Sequence, residues 1–390
     1  MAANILGIES SCDETAAAIV TDGREMRSSV VASQIDIHRK YGGVVPELAS
    51  REHLRQIVPV VREALLQARL EYGDLDAIGV TCGPGLVGAL LVGITYGKTL
   101  AAALKKPLIA VNHLEGHVHA VFLEAYKSGR VLKLPAVCLI VSGGHTVIYE
   151  VVKDGVLHPQ EFEQGKDTQP GWTAPRGLLR YRKLGQTRDD AAGEAYDKVA
   201  KLLGLGYPGG PILDRLAAAA PATMVAPVKF TSAKMKKNPL DFSFSGLKTA
   251  VFYHLREHAE YNEEIHLRNL AMERGERSFE KLLPLCSPQT LALIREFQDA
   301  VVRDLVERTM TAAAQIAAHS VLISGGVAAN NALRGAFEAR GKLSGMETFF
   351  PSKALSTDNA AMIAAAAYAR FRAGIYADVS LNADPGLVLA

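Results

Sequence analysis

Between Asn4 and Val20 the chain runs apolar, polar, apolar: ILGIE, then SSCDET, then AAAIV. Two buried runs of strand length around a turn of small polar residues predict a β-hairpin. Between Ala136 and Val152 the pattern returns as AVCLIV, SGGHT and VIYEVV. A third version, VLISGGVAAN over Val321 to Asn330, predicts a strand, a Gly-Gly turn and a helix start. Repetition of one supersecondary unit predicts a duplicated α/β fold with ligand held between two lobes. Each turn directly follows a buried strand, and glycine turns of this kind make anion nests for phosphate.

Helical periodicity fills the spaces between these units. Over Glu52 to Tyr72 it assigns Leu54, Ile57, Val58, Val61, Leu65 and Leu66 to one apolar side. Asp299 to Ala318 reads as a long helix feeding the third turn, and Asn359 to Ala373 as an alanine-rich helix at the end of the fold. Two segments look inserted. His158 to Asp190 is polar and loop-like and holds the one tryptophan, Trp172. His254 to Pro288 is densely charged with mixed signs, which reads as solvated helix. The stretch from Ala77 to Gly97 has no charge and enough length to cross a membrane. However, Cys82-Gly83-Pro84-Gly85 would break a helix in its first third. A buried strand, a tight turn and a small-residue helix from Leu86 fit that stretch better.

A chain of 390 residues is long enough for two domains with real cores. A net charge of +2 provides no global field for nucleic acid, so any such surface must be a local patch. Two clusters are candidates, against a default of solvated charge: Lys229, Lys234, Lys236 and Lys237, and Arg176, Arg180, Arg182 and Lys183. Cys12, Cys82, Cys138 and Cys286 are far apart and form no CxxC. That suits a reducing cytosol and argues against a disulfide frame or a zinc ribbon. The start of the chain lacks a basic n-region, so a cytoplasmic location is expected.

The most informative segment is His113-Leu114-Glu115-Gly116-His117. Lys105-Lys106-Pro107 breaks the chain before the short apolar strand Leu108 to Val111. The histidines therefore open a helix at the carboxyl end of a strand, where open α/β sheets put their ligands. Two histidines four apart share a helix face and can bind one metal ion. The bland alternative is a pair of core or surface histidines. A zinc-protease reading fails on one residue, because H-E-x-x-H enzymes carry their base directly after the first histidine. Here Leu114 holds that place, and Glu115, about 200° around the helix from His113, points away. His119 also leaves the metal face and reads as structural.

The segments MAANILGIESSCDETAAAIV, GGVVPELASREH, TCGPGLVGALLVG, NHLEGH, VSGGHT, GEAYDKVAKLLGLGYPGGP, DFSFSGLKTAV, SGGVAANNALR and STDNAAMIA together resemble the TsaD family, also called Gcp. Its members transfer threonylcarbamoyl to tRNA. The motifs recur from residue 4 to about 365. The resemblance implies an α/β, duplicated two-lobe fold of the actin, sugar-kinase and Hsp70 type, with nucleotide and metal in the interlobe cleft. It implies an N-terminal lobe over 1–132, rejoined by a C-terminal helix over 361–390, and a C-terminal lobe over 133–360. The insertions near 158–190 and 254–288 belong to the second lobe.

The same resemblance implies roles for single residues. His113, His117 and Asp358 would hold one divalent metal ion, Fe2+ or Zn2+. On its own, Asp358 at a helix start reads as an N-cap. Ile140, Val141, Ser142, Gly143 and Gly144 would hold the phosphate side of a nucleotide. Asp197 and Gly210 would meet its ribose, and Asn330 would contact it too. Read alone, Asp197 is a surface charge and Asn330 a helix cap. Asp13 and Glu14 would face the cleft from the first hairpin turn, where a carboxylate could take a proton from an acceptor amine. The alternative for them is turn chemistry. His145 would line the cleft outside the metal set.

The implied reaction is metal-assisted transfer from L-threonylcarbamoyl-adenylate to N6 of adenosine 37 in tRNAs reading ANN codons. The implied partners are tRNA, a TsaB-like paralogue and a TsaE-like ATPase, with no membrane. Two other readings are an ATP-dependent kinase or chaperone-like ATPase of the same fold, and a non-catalytic scaffold of a tRNA-modifying complex. A sugar kinase does not need the histidine pair with Asp358, and intact metal and nucleotide positions weigh against a scaffold.

Overall fold

The computed structural model describes residues 2–153 and 178–389. Trp172 and Arg176 lie outside the described residues. The chain forms β1 (Asn4–Glu9), β2 (Glu14–Thr21), β3 (Glu25–Ser33), α1 (Pro46–Ala68), β4 (Ala77–Gly83), α2 (Val87–Leu104), β5 (Leu108–Asn112) and α3 (His113–Lys127). It continues through β6 (Ala136–Val141), β7 (Thr146–Lys153), β8 (Leu179–Gln186), α4 (Ala192–Leu202), α5 (Gly209–Ala218), α6 (Ser245–Glu257) and α7 (Tyr261–Glu273). The last elements are α8 (Pro288–Gln315), β9 (Ser320–Ser324), α9 (Asn331–Ser344), β10 (Glu347–Phe349) and α10 (Ala360–Arg372).

The strands form two five-stranded sheets with one plan. The first runs β3-β2-β1-β4-β5 and the second β8-β7-β6-β9-β10. In each, the opening hairpin is antiparallel, with Ile8 opposite Ala17 and Ile140 opposite Val147. In each, the opening strand then pairs in parallel with the strand that follows the helices. The duplication read from the three turns is therefore a duplication of whole sheets.

Between the sheets lie α10 and α3. Leu114, Val118, Val121 and Ala125 of α3 pack on β6, β7 and β9 of the second sheet. Met362, Ile363 and the alanines of α10 pack on the first. Small side chains let that helix come close: a Cβ at Gly7 would stand 2.2 Å from the Ala360 carbonyl oxygen. The outer face of the first sheet is covered by α1 and α2, and that of the second by α4, α5, α8 and α9. α2 is long and apolar enough to cross a membrane, yet Ala89, Leu90, Gly93, Ile94, Gly97 and Ala101 are buried. The C-terminal helix stops at Arg372, short of the expected 390. Ala377 then bridges to Leu108 of β5, and the Asp384 amide donates to the Cys82 carbonyl at 2.9 Å.

Three local expectations need correction. The buried side of α1 is His53, Ile57, Val60, Val61, Ala64, Leu65 and Ala68, whereas Leu54 and Leu66 are 66% and 70% exposed. Leucine content misled there, because alanines and a histidine supply much of the packed face. Leu179–Gln186 is a strand and not a loop; Tyr181 points inward while Arg180, Arg182 and Lys183 point outward. Its charges mark an edge strand. The charged segment 254–288 is only partly solvated. Arg268 is fully buried, donating to the Leu203 carbonyl at 2.7 Å and the Leu285 carbonyl at 2.8 Å, and pairing with Glu264.

Candidate functional site

β5 ends at Asn112, whose side chain accepts from the Leu114 amide at 2.9 Å and so starts α3. That cap places His113 and His117 on successive turns, with ring centroids 4.8 Å apart. Asp358 arrives from the start of α10. It is not the cap there: Asn359 accepts from the Met362 amide at 3.1 Å, which leaves the Asp358 carboxylate for the histidines. Asp358 Oδ1 lies 3.2 Å from His117 Nε2 and 3.6 Å from His113 Nε2. The three ligand atoms all lie within 4.8 Å of one another. Donors about 2.1 Å from one tetrahedral ion would be about 3.4 Å apart, so the spacing fits a single metal. His117 supplies a second sign of fit, since its buried Nδ1 has no hydrogen-bond partner among the described residues and its Nε2 faces only the Asp358 carboxylate, without a well-aligned hydrogen bond.

The charged groups of the cluster act on one another. Burial alone would push His113 down, but Asp358 and Glu9 beside it raise it to about 9. Burial opposes ionisation of Asp358, yet His113 and His117 hold its carboxyl well below the usual range. His145 sits beside the pair, its ring 6.2 Å from that of His113, and burial and the two histidines bring it down to about 4. Glu115 turns away from the cluster and bonds Arg370 of α10 at 2.5 Å. His119, brought down to about 3 by burial and Arg370, packs against Phe122.

Asp13 and Glu14 stand at the first hairpin turn. Asp13 is buried, and the Glu14 carboxyl is pushed well above its ordinary value by burial, then by Asp13 and Asp358. The electrostatic link to Asp358 ties this turn to the histidine cluster.

The second hairpin turn differs from a left-handed nest. Gly143 and Gly144 do not take positive φ. What they provide is room, because a Cβ at either would meet nothing within 4 Å. Ile140 and Val141 are fully buried in β6, so the open part of the turn is Ser142 to Gly144. The third turn is the strained one. Gly325 has φ +95, and a Cβ there would stand 2.4 Å from the Val141 carbonyl oxygen.

Asp197 is not a loose surface charge. Its Oδ1 accepts from the Gly209 amide at 2.6 Å, which ties α4 to the start of α5. Burial raises its carboxyl to about 6 despite the Gly209 and Gly210 amides. Gly210 itself faces open space. Asn330 does cap a helix, accepting from the Leu333 amide at 2.9 Å and donating to Gln298 at 2.8 Å.

Of the basic residues, Lys229 and Lys234 line a cavity of about 550 Å3 with Arg303, Asp304, Glu307 and Arg308, away from the histidine cluster. Lys236 and Lys237 are exposed outside that lining. In the other cluster Arg182 is paired with Glu150 at 2.5 Å, which offsets one of its charges, while Lys183 donates to the neutral Gln186 at 3.0 Å and keeps its own.

Two residues escaped sequence reasoning. Glu9, at the end of ILGIE, is fully buried and lies 3.0 Å from His113 Nδ1. His53, in α1, is also fully buried; Nε2 donates to the Cys12 carbonyl at 2.9 Å and Nδ1 accepts from Thr15 at 2.8 Å. Together these bonds hold the turn that carries Asp13 and Glu14. The available signal was a charged residue closing an otherwise apolar strand.

Comparison with known proteins accords with this site. The family model described as TsaD, tRNA N6-adenosine threonylcarbamoyltransferase, matches residues 25–161 and 173–365. A protein of that name from Koribacter versatilis is 52% identical, over 99% of this chain and 98% of its own. Another from Anaeromyxobacter sp. is 48% identical, over 98% of each chain. Among solved structures, HypF from T. kodakarensis superposes with a TM-score of 0.52 at 13% identity, over 97% of this chain and 49% of that one, a likeness of fold alone. With a family model matching most of its length and 52% identity to a relative over 99% of it, the chain belongs to the TsaD family of tRNA N6-adenosine threonylcarbamoyltransferases.

Proposed function

We propose that this chain transfers the threonylcarbamoyl group from L-threonylcarbamoyl-adenylate to N6 of adenosine 37 in tRNAs reading ANN codons. The observation that carries the reading is the convergence of His113, His117 and Asp358 beside the Asp13–Glu14 turn. The three residues would hold one divalent ion, iron or zinc, which supplies Lewis-acid polarisation of a donor oxygen when bound. The open turn at Ser142 to Gly144 leaves room for the adenylate phosphate. Asp197 and the start of α5 would take the ribose, with Asn330 holding the third turn in place.

Glu14 is the candidate base. Burial, then the negative charges of Asp13 and Asp358, keep its proton on. With the Asp358 share of that effect offset by a cation, the Glu14 carboxyl would ionise more readily and its oxygen could accept the proton leaving the acceptor amine. Adenosine 37 lies in an anticodon loop, and unpaired loop bases are the ones RNA-binding proteins can splay out and read. The same reading assigns a TsaB-like paralogue and a TsaE-like ATPase as partners.

The test is metal analysis of the purified chain, followed by incubation with threonylcarbamoyl-adenylate and tRNA. His113→Ala and His117→Ala are expected to be purified without the ion, to bind it only weakly on titration and to lose the transfer, while keeping the circular-dichroism spectrum. Full metal occupancy with full transfer in both variants removes the reading.

A further inference from the structure

Glu9 closes β1, and none of its surface is exposed. A buried carboxylate needs donors, and this one has three. Oε1 accepts from the Ser11 amide at 2.5 Å. Oε2 accepts from the Thr81 hydroxyl at 2.7 Å and lies 3.0 Å from His113 Nδ1. The Ser11 hydroxyl is a further neighbour of that nitrogen, at 3.2 Å. A carboxylate facing Nδ1 selects the ring form that carries its proton there. The lone pair then falls on Nε2, the nitrogen that faces Asp358. Glu9 is on the far side of the ring and is not one of the clustered ligand atoms.

We infer that Glu9 is a positioning residue that holds His113 with Nδ1 protonated, so that Nε2 is set to bind a divalent metal ion. The inference rests on the metal reading of the His113, His117 and Asp358 cluster. It gives the two histidines different standing. His117 Nδ1 has no hydrogen-bond partner among the described residues, so Asp358 and helix packing alone orient that ring. His113 is locked from behind by a carboxylate that is itself fixed by β4 through Thr81 and by the first turn through Ser11. Carboxylate partners of this kind set the tautomer and orientation of a ligating imidazole.

Glu9→Gln is the informative variant. Three donors converge on two carboxylate oxygens, so an amide in either orientation turns its NH2 against at least one of them. Zinc affinity, measured by competition with a chromophoric chelator, is expected to fall 10- to 100-fold. In a His113→Ala background, Glu9→Gln should change zinc affinity by less than two-fold, because the ring it orients is gone. The nitrogen-15 spectrum of the zinc-loaded wild type should show His113 with Nδ1 protonated and Nε2 on the metal. A purely structural role for Glu9 would lower stability and change zinc affinity equally with and without the His113 ring.

Equal zinc affinity in wild type and Glu9→Gln, or an undiminished effect in the His113→Ala background, overturns the inference. If Glu9→Gln does not fold, the wild-type spectrum decides alone, and His113 bound through Nδ1 overturns it. A wild type that binds neither zinc nor ferrous iron instead overturns the metal reading, and the inference goes with it.

Discussion

Replacing Asp197 by Asn should stabilise the protein and weaken its hold on a nucleotide. In the folded chain the carboxyl of Asp197 is raised from 3.8 to about 6, mainly by burial. The folded state therefore binds this proton more tightly than the unfolded state does. Stability falls as pH rises from about 4 to 6, and the cost is fully present above 6. That difference corresponds to about 3 kcal/mol at pH 8 and about half as much at pH 5. Asparagine avoids the charge yet keeps the Oδ1 that accepts from Gly209. At about 2.1 cal/mol/K per residue, 3 kcal/mol moves the melting midpoint of a chain this long up by about 4 °C. Calorimetry at pH 5 and pH 8 should show the gap between variant and wild type widening with pH. Meanwhile the second carboxylate oxygen, the one left for a ribose hydroxyl, becomes an NH2. Loss of a charge-assisted hydrogen bond should weaken AMP binding about tenfold. A gap that does not widen, or a variant less stable at pH 8, refutes the reasoning about burial. Unchanged AMP affinity refutes the ribose assignment.

Four other outcomes are expected. Gly143→Val should block adenylate binding in calorimetry yet leave stability within about 0.5 kcal/mol, because its side chain enters open space. By contrast, Gly325→Ala, forced into positive φ against the Val141 carbonyl, should lose about 3 kcal/mol in a denaturant titration. Charge reversal at Lys234, Lys236 and Lys237 should weaken tRNA binding with a shallower salt slope and unchanged metal content; an unaltered slope would make those lysines a solvated face. Glu14→Ala should still bind tRNA but slow single-turnover transfer by ~10²-fold or more, and a full rate would remove it as the base.

The sheet duplication and the histidine pair were legible because each rests on local pattern. Strand period, small polar turns and the spacing of His113 and His117 are set within a few residues. Asp358 is different. Its neighbour Asn359 is an equally good cap, and only tertiary structure shows which of the two caps α10 and which reaches the histidines. The glycines at 143 and 144 were recognised for a conformational freedom they do not use; the requirement there is space, which has no local signature. Arg268 and the strand Leu179–Gln186 were misread for a related reason. Charge in sequence suggests solvent, but a buried guanidinium can donate to carbonyls and a strand can keep its charges on one edge. Glu9 and His53 were invisible because their partners, His113 and Cys12, lie far off in the chain.

The last helix has a consequence for how the protein is made. The inner face of the first sheet is closed by Met362, Ile363 and the alanines of α10, yet β5 of that sheet ends at Asn112. About 250 residues separate the two. At 5–20 residues per second, a ribosome needs roughly 12–50 seconds to supply the cover. Throughout that interval the first sheet has its strands and, from α3, Ala120 and Leu123, but the rest of its inner apolar face lacks its native cover. A nascent chain stalled before residue 360 would carry that face into the cell, making the N-terminal half a client for holdases and the final helix the event that releases it.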